Sequence, residues 1–585
     1  MNTSTHSRAI RVTALDHIVL NVRDVDRSLR FYRDILGLEA ERVDQWRRGQ
    51  VSFPSVRIDA ATVIDLVERP RGESNVDHIC LVVAPLDWPA VIDAGILDVV
   101  QGPVVRSGAR GDGQSIYVRD PDGNTVELRW YPQDLDQLPL DGELVRDPAT
   151  RERAAADFGH VVHTVPEAVL RPGSVADVAA VVRWAAGAGR QVAAQGARHS
   201  VYGRSQVGRG VVVDMSGHNT IHHVGADRIV VDAGATWRDV LTAALRDGRT
   251  PPVLPEYLDL TIGGTVTVGG VGGTSWRQGV LSDSVLALEV VTGDGHVRTC
   301  SPDEHPDLFD AVRAGLGQVG VITRATLRLT AAPETVRRYQ LVYSDLDTML
   351  TDQRLLLDEG RWDYLHGRAV PGREGGWTYL VDGSALFSGE VPDDAMLAGL
   401  ADDRAKATIG THDYRTYTDR FTPLENALRG VGRWDSPHPW LFTFVGASRA
   451  GAVLAETLAG LTVGDLGDLG DLGVVSVLPL RTSAVRSPLF RLPAEPVAFA
   501  MNLMRIPTPG PADTVAAMVA GNRAVYERVV AAGGTLNPAS ALPMSARDWQ
   551  AHFGPVWDRL AAAKRAYDPG RVLTPGYEVF PRRDG

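Results

Sequence analysis

A chain of 585 residues, 44% of them hydrophobic and 23% charged, is long enough for several domains with large buried cores and has an ordinary globular composition. Its formal net charge of −12 excludes the basic footprint that nucleic acid or an anionic membrane surface requires. Cys80 and Cys300 are its two cysteines; they fall in segments assigned below to different domains, which excludes a disulfide framework. The opening MNTSTHSRAIRVTALD lacks the apolar core of a signal peptide, and no run of about 18 apolar residues occurs. A cytoplasmic protein is expected.

An internal repeat comes first. LDHIVLNVRD (15–24) returns as VDHICLVVAP (76–85), each an alternating strand beginning with Asp-His. The first copy continues into an amphipathic helix, DVDRSLRFYRDILG, and two strand-like runs, QVSFPSVRI and ATVIDLVE. The second leads through a weaker helix to QSIYVRDPDGNTVELRWYP, a hairpin turning at PDGN. Two such units predict a duplicated α+β domain over 10–133. His17 and His78 hold the same place in the two copies, so a pseudo-twofold would bring them together. Glu127 alternates with Thr125 and Arg129 on one strand face, and Asp65 has the corresponding place in the first copy. Two imidazoles with one or two carboxylates suit a borderline divalent ion with coordination positions left open. A purely structural histidine pair is the competing reading.

These residues resemble the vicinal oxygen chelate superfamily of glyoxalase I, extradiol dioxygenases and bleomycin-resistance proteins. The resemblance rests on DHIVLNV, FYRDILGL, DHICLVV and DPDGNTVEL. It implies a βαβββ repeat and a divalent metal (Fe, Mn, Ni or Zn) on His17, His78 and Glu127. Asp65 falls at the place of a fourth carboxylate, where it is shorter than the usual glutamate. Some members of the superfamily bind ligands without metal, so that role stays open here.

Residues 134–157 are polar, acidic and in part helical in pattern, and read as a linker. From 158 onward helices and strands alternate: VADVAAVVRWAAGAG, QVAAQG, the turn GARHSVYG (196–203), and DRIVVDAGATWRDVLTAAL. The glycine-dense TIGGTVTVGGVGGTSWRQG follows, and then VLALEVVTGDGHVRTC, a hairpin turning at GDG. GDLGDLGDLG (464–473) is a triplet expansion expected on the surface. The glycine run lacks GxGxxG spacing after a first strand, which disfavours a Rossmann site. Glycines at this density let backbone N–H groups approach a pyrophosphate. Beside GARHS, they predict a large dianionic cofactor held by two backbone loops.

From about 148 to 580 the chain resembles the cytokinin dehydrogenases, within the vanillyl-alcohol-oxidase class of enzymes with a PCMH-type FAD-binding domain. The matching stretches are long and in order: TVPEAVLRPGSVADVAAVVRWA, GARHSVYGRSQVGRGVVVDM, EYLDLTIGGTVTVGGVGGTSWRQG, HPDLFDAVRAGLGQVGVITRATLRL and KRAYDPGRVLTPGYEVF. The resemblance implies an α+β multidomain chain with a bipartite FAD domain at 158–333, to which 541–585 returns, and an inserted substrate domain at 334–540. It implies that His199 is joined covalently to the flavin 8α-methyl, with Ser200, Gly196, Ala197, Arg198 and Gly203 around the phosphates. Arg198 stands where the family usually has glycine. Thr261, Gly263, Gly264, Thr265, Gly269, Gly270, Gly273, Thr274, Val321 and Ile322 complete the expected FAD contacts.

A carboxylate that accepts the substrate's N–H or O–H eases hydride departure from the adjacent carbon. The family's aspartate for this task is matched by Glu256, and Asp259 is the competitor. WDYLHG (362–367) puts His366 where an acid is expected, and HPWLFTFVG replaces the usual HPWLNLFVP. The expected function is therefore oxidation of a C–N or C–O bond of a small molecule. Oxygen or a quinone would be the electron acceptor, and a homodimer is the expected assembly. Three alternatives stand beside it: an oxidase of specialised metabolites, a metal-dependent lyase, isomerase or dioxygenase with an auxiliary flavin domain, and a ligand-binding protein.

Overall fold

The computed structural model describes residues 12–581, apart from 60, 71–74, 84–87, 89–91, 93–94, 96, 121–122, 132–134, 373–374, 393, 463–465, 467–473 and 508–511. The triplet expansion at 464–473 thus lies, but for Leu466, outside the described residues. The chain divides into two units, Met1–Leu138 with Ala186–Gly189, and Pro139–Ala185 with Arg190–Gly585. Among the described residues no helix is long and apolar enough to cross a membrane.

In the first unit, β1 (Val12–Val22) leads into a helix at Val25–Leu29 whose first turn is capped by Asp24. A π-helical turn at Arg30–Ile35 follows, then β2 (Glu39–Glu41), β3 (Ser55–Asp59) and β4 (Thr62–Glu68). The second copy supplies β5 (Val76–Val83), β6 (Asp98–Gly108), β7 (Gly111–Arg119) and β8 (Thr125–Trp130). Together they form one sheet in the order β2-β3-β4-β1-β5-β8-β7-β6. The order reads the same from both ends when four is added to each label of the first copy. β1 pairs parallel with β4, β5 pairs parallel with β8, and β1 meets β5 antiparallel. The pseudo-twofold therefore runs between β1 and β5, with Val19 opposite His78 and His17 opposite Cys80. Val25, Leu29, Val56 and Leu66 form the core of the first half; Val83, Trp88, Ile116, Val118 and Leu128 form that of the second.

The second unit begins inside the stretch expected as a linker. There, β9 (Glu143–Val145) pairs antiparallel with β10 (Ala168–Arg171). Asp147 caps a helix at Pro148–Ala154, its carboxylate accepting from Thr150 N at 3.0 Å. The helix answers the helical pattern read there, whereas the polar composition hid the strand, because an edge strand buries only one side: Val145 points inward. A helix at Val175–Gly187 buries Val178, Val181, Val182 and Ala185 on one face. It is followed by β11 (Gln191–Gln195) and β12 (Gly210–Asp214), completing a sheet in the order β11-β12-β10-β9.

A five-stranded sheet lies next along the chain. It contains β13 (Ile221–Val224), β14 (Arg228–Asp232), and, after the short β15 (Arg249–Thr250), β16 (Val285–Thr292), β17 (Val297–Cys300) and β18 (Gly320–Arg328). Its order is β13-β14-β18-β16-β17, and β15 pairs with β19 (Thr330–Ala331). The helix Trp237–Leu245 enters through a capping box of Thr236 and Asp239.

The glycine-dense run, expected as a loop, begins as a helix at Ile262–Val268. Thr-Val-Thr-Val is extended by propensity, but Ile262 and Val266 share one helical face and are both buried. Gly263, lacking a Cβ, lets that helix lie against Ala233, where an added Cβ would sit 3.0 Å from the Ala233 Cβ. Tertiary packing overrides the local preference.

An eight-stranded sheet falls within 335–536: β20 (Thr335–Tyr343), β21 (Tyr364–Pro371), β22 (Trp377–Phe387), β23 (Thr408–Asp413), β24 (Leu441–Gly446), β25 (Val474–Arg481), β26 (Val497–Met504) and β27 (Thr535–Leu536). Its order is β23-β20-β22-β21-β25-β26-β24-β27. The chain's end then returns to the earlier sheets. Leu573 bridges Val192, and the buried Lys564 ammonium donates to Gln318 O and pairs with Asp568, each at 2.7 Å.

Candidate active site

The turn after β11 carries His199, and three attachments hold it. Phe158 N donates to Arg198 O at 2.8 Å and Gly159 N to Ser200 O at 3.0 Å. Asp157, buried, accepts from Ser200 Oγ and from Gly203 N, each at 2.7 Å. The Phe158 ring lies between His199 and His438, with 3.9 Å between centroids on each side. Tyr257, Trp434 and Trp440 complete the aromatic surround, with Tyr257 5.0 Å from the His199 ring. Burial pushes His199 down to about 4 and His438 to about 3, so both rings are neutral at pH 7. Among the described residues nothing hydrogen-bonds His199 Nε2, although that atom is buried.

Arg198 has φ 55°, in the left-handed region that favours glycine, and its guanidinium donates to Arg153 O at 2.8 Å. The turn meets the N-terminus of the helix Ile262–Val268 closely: a Cβ on Gly196 would lie 2.0 Å from Thr261 Oγ1, and one on Gly264 3.0 Å from the same atom. Gly196, Ala197, Thr261, Gly263 and Gly264 are therefore brought together around two bare backbone segments, with Gly263 N donating to Ala233 O at 2.8 Å. A neutral imidazole with an unsatisfied nitrogen, and backbone cleared of side chains, fit a flavin with its pyrophosphate.

Other expected FAD contacts are engaged elsewhere. The Ser200 hydroxyl is given to Asp157. Thr265 Oγ1 accepts from Trp237 Nε1 at 2.9 Å. Gly269 and Gly270 have φ of 96° and 62° and pack on Phe490 and Leu281. Val321 and Ile322 are buried in β18, opposite Val291 and Val290. Gly273 and Thr274 line a different space, and a Cβ on Gly273 would collide with the Tyr364 ring.

That space is a cleft of about 400 Å³ walled by Glu256, Tyr364, Arg420, Tyr414, Tyr417 and Arg277, among others. Glu256 Oε2 accepts from Arg420 at 2.7 Å, and Oε1 accepts from the Tyr364 hydroxyl. The Arg420 guanidinium lies 4.2 Å from the Tyr417 ring centroid and 4.7 Å from that of Tyr364. Burial alone would raise the Glu256 carboxyl, but the Arg420 charge and the Tyr364 hydroxyl outweigh it and hold it below its ordinary value. Glu256 is thus an ionised acceptor at neutral pH. Asp259, the competitor, is taken by Arg238 in a two-point pair at 2.6 and 3.0 Å and is not among the cleft's lining residues.

In the first unit, His17, His78 and Glu127 converge. The two Nε2 atoms are 3.2 Å apart, and Glu127 Oε2 lies 3.3 and 3.1 Å from them. Ligand bonds of about 2.1 Å put neighbouring donors about 3.0 Å apart in an octahedron and about 3.4 Å in a tetrahedron, so this spacing fits a divalent ion. Each imidazole is oriented from behind by the aspartate preceding it: Asp16 on His17 Nδ1 at 2.8 Å and Asp77 on His78 Nδ1 at 2.9 Å. Burial would lower His17, but Asp16 and Glu127 raise it to about 9, drawing a proton to where a cation would sit. Arg129 holds the other Glu127 oxygen at 2.6 Å. Asp65 does not join the cluster; Ser55 and Arg42 hold its carboxylate.

Asp157, Phe158, His438, Tyr364 and Arg420 were not singled out from sequence. The first two lie at the edge of the supposed linker, and the others meet the site only through tertiary pairing. Comparison with known proteins agrees with this architecture. A glyoxalase/bleomycin resistance protein/dioxygenase superfamily model matches residues 14–81, an FAD binding domain matches 166–301, and "Cytokinin dehydrogenase 1, FAD and cytokinin binding" matches 394–580. An uncharacterized oxidoreductase, ORF5 in the fasciation locus of Rhodococcoides fascians, is 40% identical over 428 residues, 73% of this chain and 96% of that protein. Cytokinin dehydrogenase 10 of Oryza sativa subsp. japonica is 35% identical over 500 residues, 77% of this chain and 90% of that protein. The crystal structure of 6-hydroxy-D-nicotine oxidase from Arthrobacter nicotinovorans superposes with a TM-score of 0.60 at 22% identity, covering 77% of this chain and all of that one, and shares the fold. The chain therefore belongs to the cytokinin dehydrogenase-like FAD-dependent oxidoreductases, with a glyoxalase-type domain fused ahead of the flavin fold.

Proposed function

We propose that this enzyme oxidises a C–H bond next to an amine nitrogen in the cleft walled by Glu256, Tyr364 and Arg420. N6-prenyladenine cytokinins are the first substrates to test. The observation that carries the reading is an ionised carboxylate, Glu256, facing a cleft of about 400 Å³ and held by one arginine and one phenol. Each carboxylate oxygen keeps a lone pair beyond these two bonds and can accept a substrate N–H. Accepting that hydrogen bond raises electron density at nitrogen and eases departure of hydride from the adjacent carbon. Bound FAD supplies the hydride acceptor, and oxygen or a quinone takes the electrons afterwards. Tyr414, Tyr417 and Pro251, Pro252 and Pro255 give the cleft flat apolar walls suited to a planar ring.

His199 is the residue to which the flavin would be joined: its imidazole is neutral, one nitrogen is unsatisfied, and Phe158 and His438 fix its plane. His17, His78 and Glu127 would hold Fe, Mn, Ni or Zn in the first unit, where the ion would act as a Lewis acid with positions left for a ligand. The test is anaerobic mixing of the purified holoenzyme with N6-isopentenyladenine and with a panel of amines and alcohols. Bleaching of the flavin by amines supports the reading; bleaching by alcohols alone overturns it. Acid precipitation should leave a yellow pellet, and a colourless one in His199→Ala.

A further inference from the structure

Behind Tyr364 the hydrogen bonds continue away from the cleft. His366, two residues on along β21, has Nδ1 3.3 Å from the Tyr364 hydroxyl, and its Nε2 is 2.6 Å from Ser476 Oγ on β25. The proton positions in this chain follow from its cleft end. Glu256 is ionised by its pairing with Arg420 and can only accept, so the Tyr364 hydroxyl must donate to it. A phenol has one proton, and with it given to Glu256 the Tyr364 oxygen can only accept. His366 must therefore present Nδ1–H. Burial keeps this imidazole below its ordinary pKa, so Nε2 carries a lone pair and Ser476 donates to it.

The charged groups facing His366 do not undo this. Asp382, opposite it in the β21–β22 ladder, is neutralised by Arg338 and Arg368, each at 2.8 Å. Arg420 and Glu256 are committed to each other. No carboxylate among these is left to hold a second proton on the ring.

We propose that His366 is a positioning residue: the order Ser476 to His366 to Tyr364 to Glu256 makes the Tyr364 phenol a donor to the carboxylate, which keeps Glu256 as the acceptor for a substrate N–H. This rests on the reading of Glu256 given above. An acid at 366 would reverse the chain, because it would compete for the Tyr364 proton and leave Glu256 one donor poorer. Asparagine would preserve it, since its side-chain N–H occupies the place of Nδ1–H.

The experiment uses holoenzyme labelled with 15N-histidine, with His366 assigned by the signal lost in His366→Asn. The neutral Nδ1–H tautomer is expected from pH 6 to 8; an Nε2–H tautomer, or an imidazolium at pH 7, overturns the proposal without reference to any substrate. The second readout is the pH dependence of anaerobic flavin reduction by N6-isopentenyladenine. His366→Asn should keep the wild-type acid limb, and His366→Glu should move it upward by about one pH unit. A merely structural role would lower the rate at every pH and leave the limb in place, and a His366→Glu profile superimposable on wild type also overturns the proposal. If the wild type is not bleached, the proposed substrate class fails, and the tautomer still decides the role of His366.

Discussion

Replacing Glu256 by glutamine tests the centre of the argument, because it keeps the side chain's shape and removes one charge. Two effects follow from the geometry. Arg420, lying over the Tyr364 and Tyr417 rings, loses its ionic partner. Breaking a fully buried pair costs about 3–5 kcal/mol, but these side chains are 22% and 32% exposed. The amide oxygen still accepts one of the two hydrogen bonds, so a loss of about 1–2 kcal/mol in stability is expected. The effect on rate is larger. A positioned acid–base group contributes about 10²–10⁴-fold, and the amide cannot accept as a charged group does. Flavin reduction should fall at least ~100-fold, about 2.7 kcal/mol on the barrier, with FAD content unchanged. Anaerobic stopped-flow on enzyme of matched flavin content measures this directly. Reduction within tenfold of wild type would refute the role of Glu256. The pH profile gives an internal check. Arg420 and Tyr364 hold the carboxyl below its ordinary value against burial, so its active, ionised form persists above the usual carboxylate range and is lost only as pH falls below it. Wild-type reduction should therefore show no limb from this group between pH 6 and 8.

At Gly196, an added methyl would meet Thr261 Oγ1 at 2.0 Å, so Gly196→Ala should cost about 1–3 kcal/mol and lower FAD occupancy. Adding Thr261→Ala should recover part of both, since the Cβ at 261 stays 2.9 Å from the added methyl, and an unchanged melting temperature in the single variant would contradict the close approach. Asp157 is raised to about 6, chiefly by burial, with Ser200 and Gly203 opposing. A carboxyl raised on folding favours the folded state below its unfolded pKa of ~3.9, and that contribution is lost as pH rises toward 6, by about 3 kcal/mol. Asp157→Asn should flatten this part of the stability curve, read as apparent unfolding midpoints at pH 4 to 7; an unchanged slope counts against it. In the first unit, elemental analysis after exposure to Fe, Mn, Ni and Zn should find one ion per chain, lost in His78→Ala and kept in Asp65→Ala. No ion in the wild type would remove the metal reading.

What could be read from the sequence depended on how each site is built. The histidine cluster was legible because duplication supplies its own geometry: two Asp-His strand starts become neighbours wherever the copies pair about a twofold, and β1 and β5 do so. Even the second layer lay in plain view, since the oriented aspartates are the residues before His17 and His78. Asp65 was placed by the same symmetry and missed for a local reason. Its short carboxylate is caught by Ser55 and Arg42 and does not reach the imidazoles. The carboxylate cleft was half legible. Glu256 was indicated by the family resemblance, from its place before Tyr257 in EYLDL, but Arg420 is 164 residues away and Tyr364 is 108, and no local pattern connects them. The helix at Ile262–Val268 was missed because Thr-Val-Thr-Val carries a strand preference that only its packing against Ala233 overrules.

The stretch read as a linker is the most instructive case. Composition scores a segment by how polar it is, whereas this one works through a few directed contacts. Asp157 fixes Ser200 and the Gly203 amide, and just beyond the stretch Phe158 stacks on His199 while the Phe158 and Gly159 amides bond the carbonyls of Arg198 and Ser200. Arg153 adds its own carbonyl to the Arg198 guanidinium. That last contact accounts for the arginine at a position with φ 55°. A left-handed non-glycine residue costs about 1–2 kcal/mol, while glycine there would leave the unfolded chain freer and forgo the bond to Arg153. The two costs are of similar size, so arginine can occupy the site without reshaping the turn. Residues 153–159 are therefore the scaffold of the His199 turn, and a change there should lower FAD occupancy.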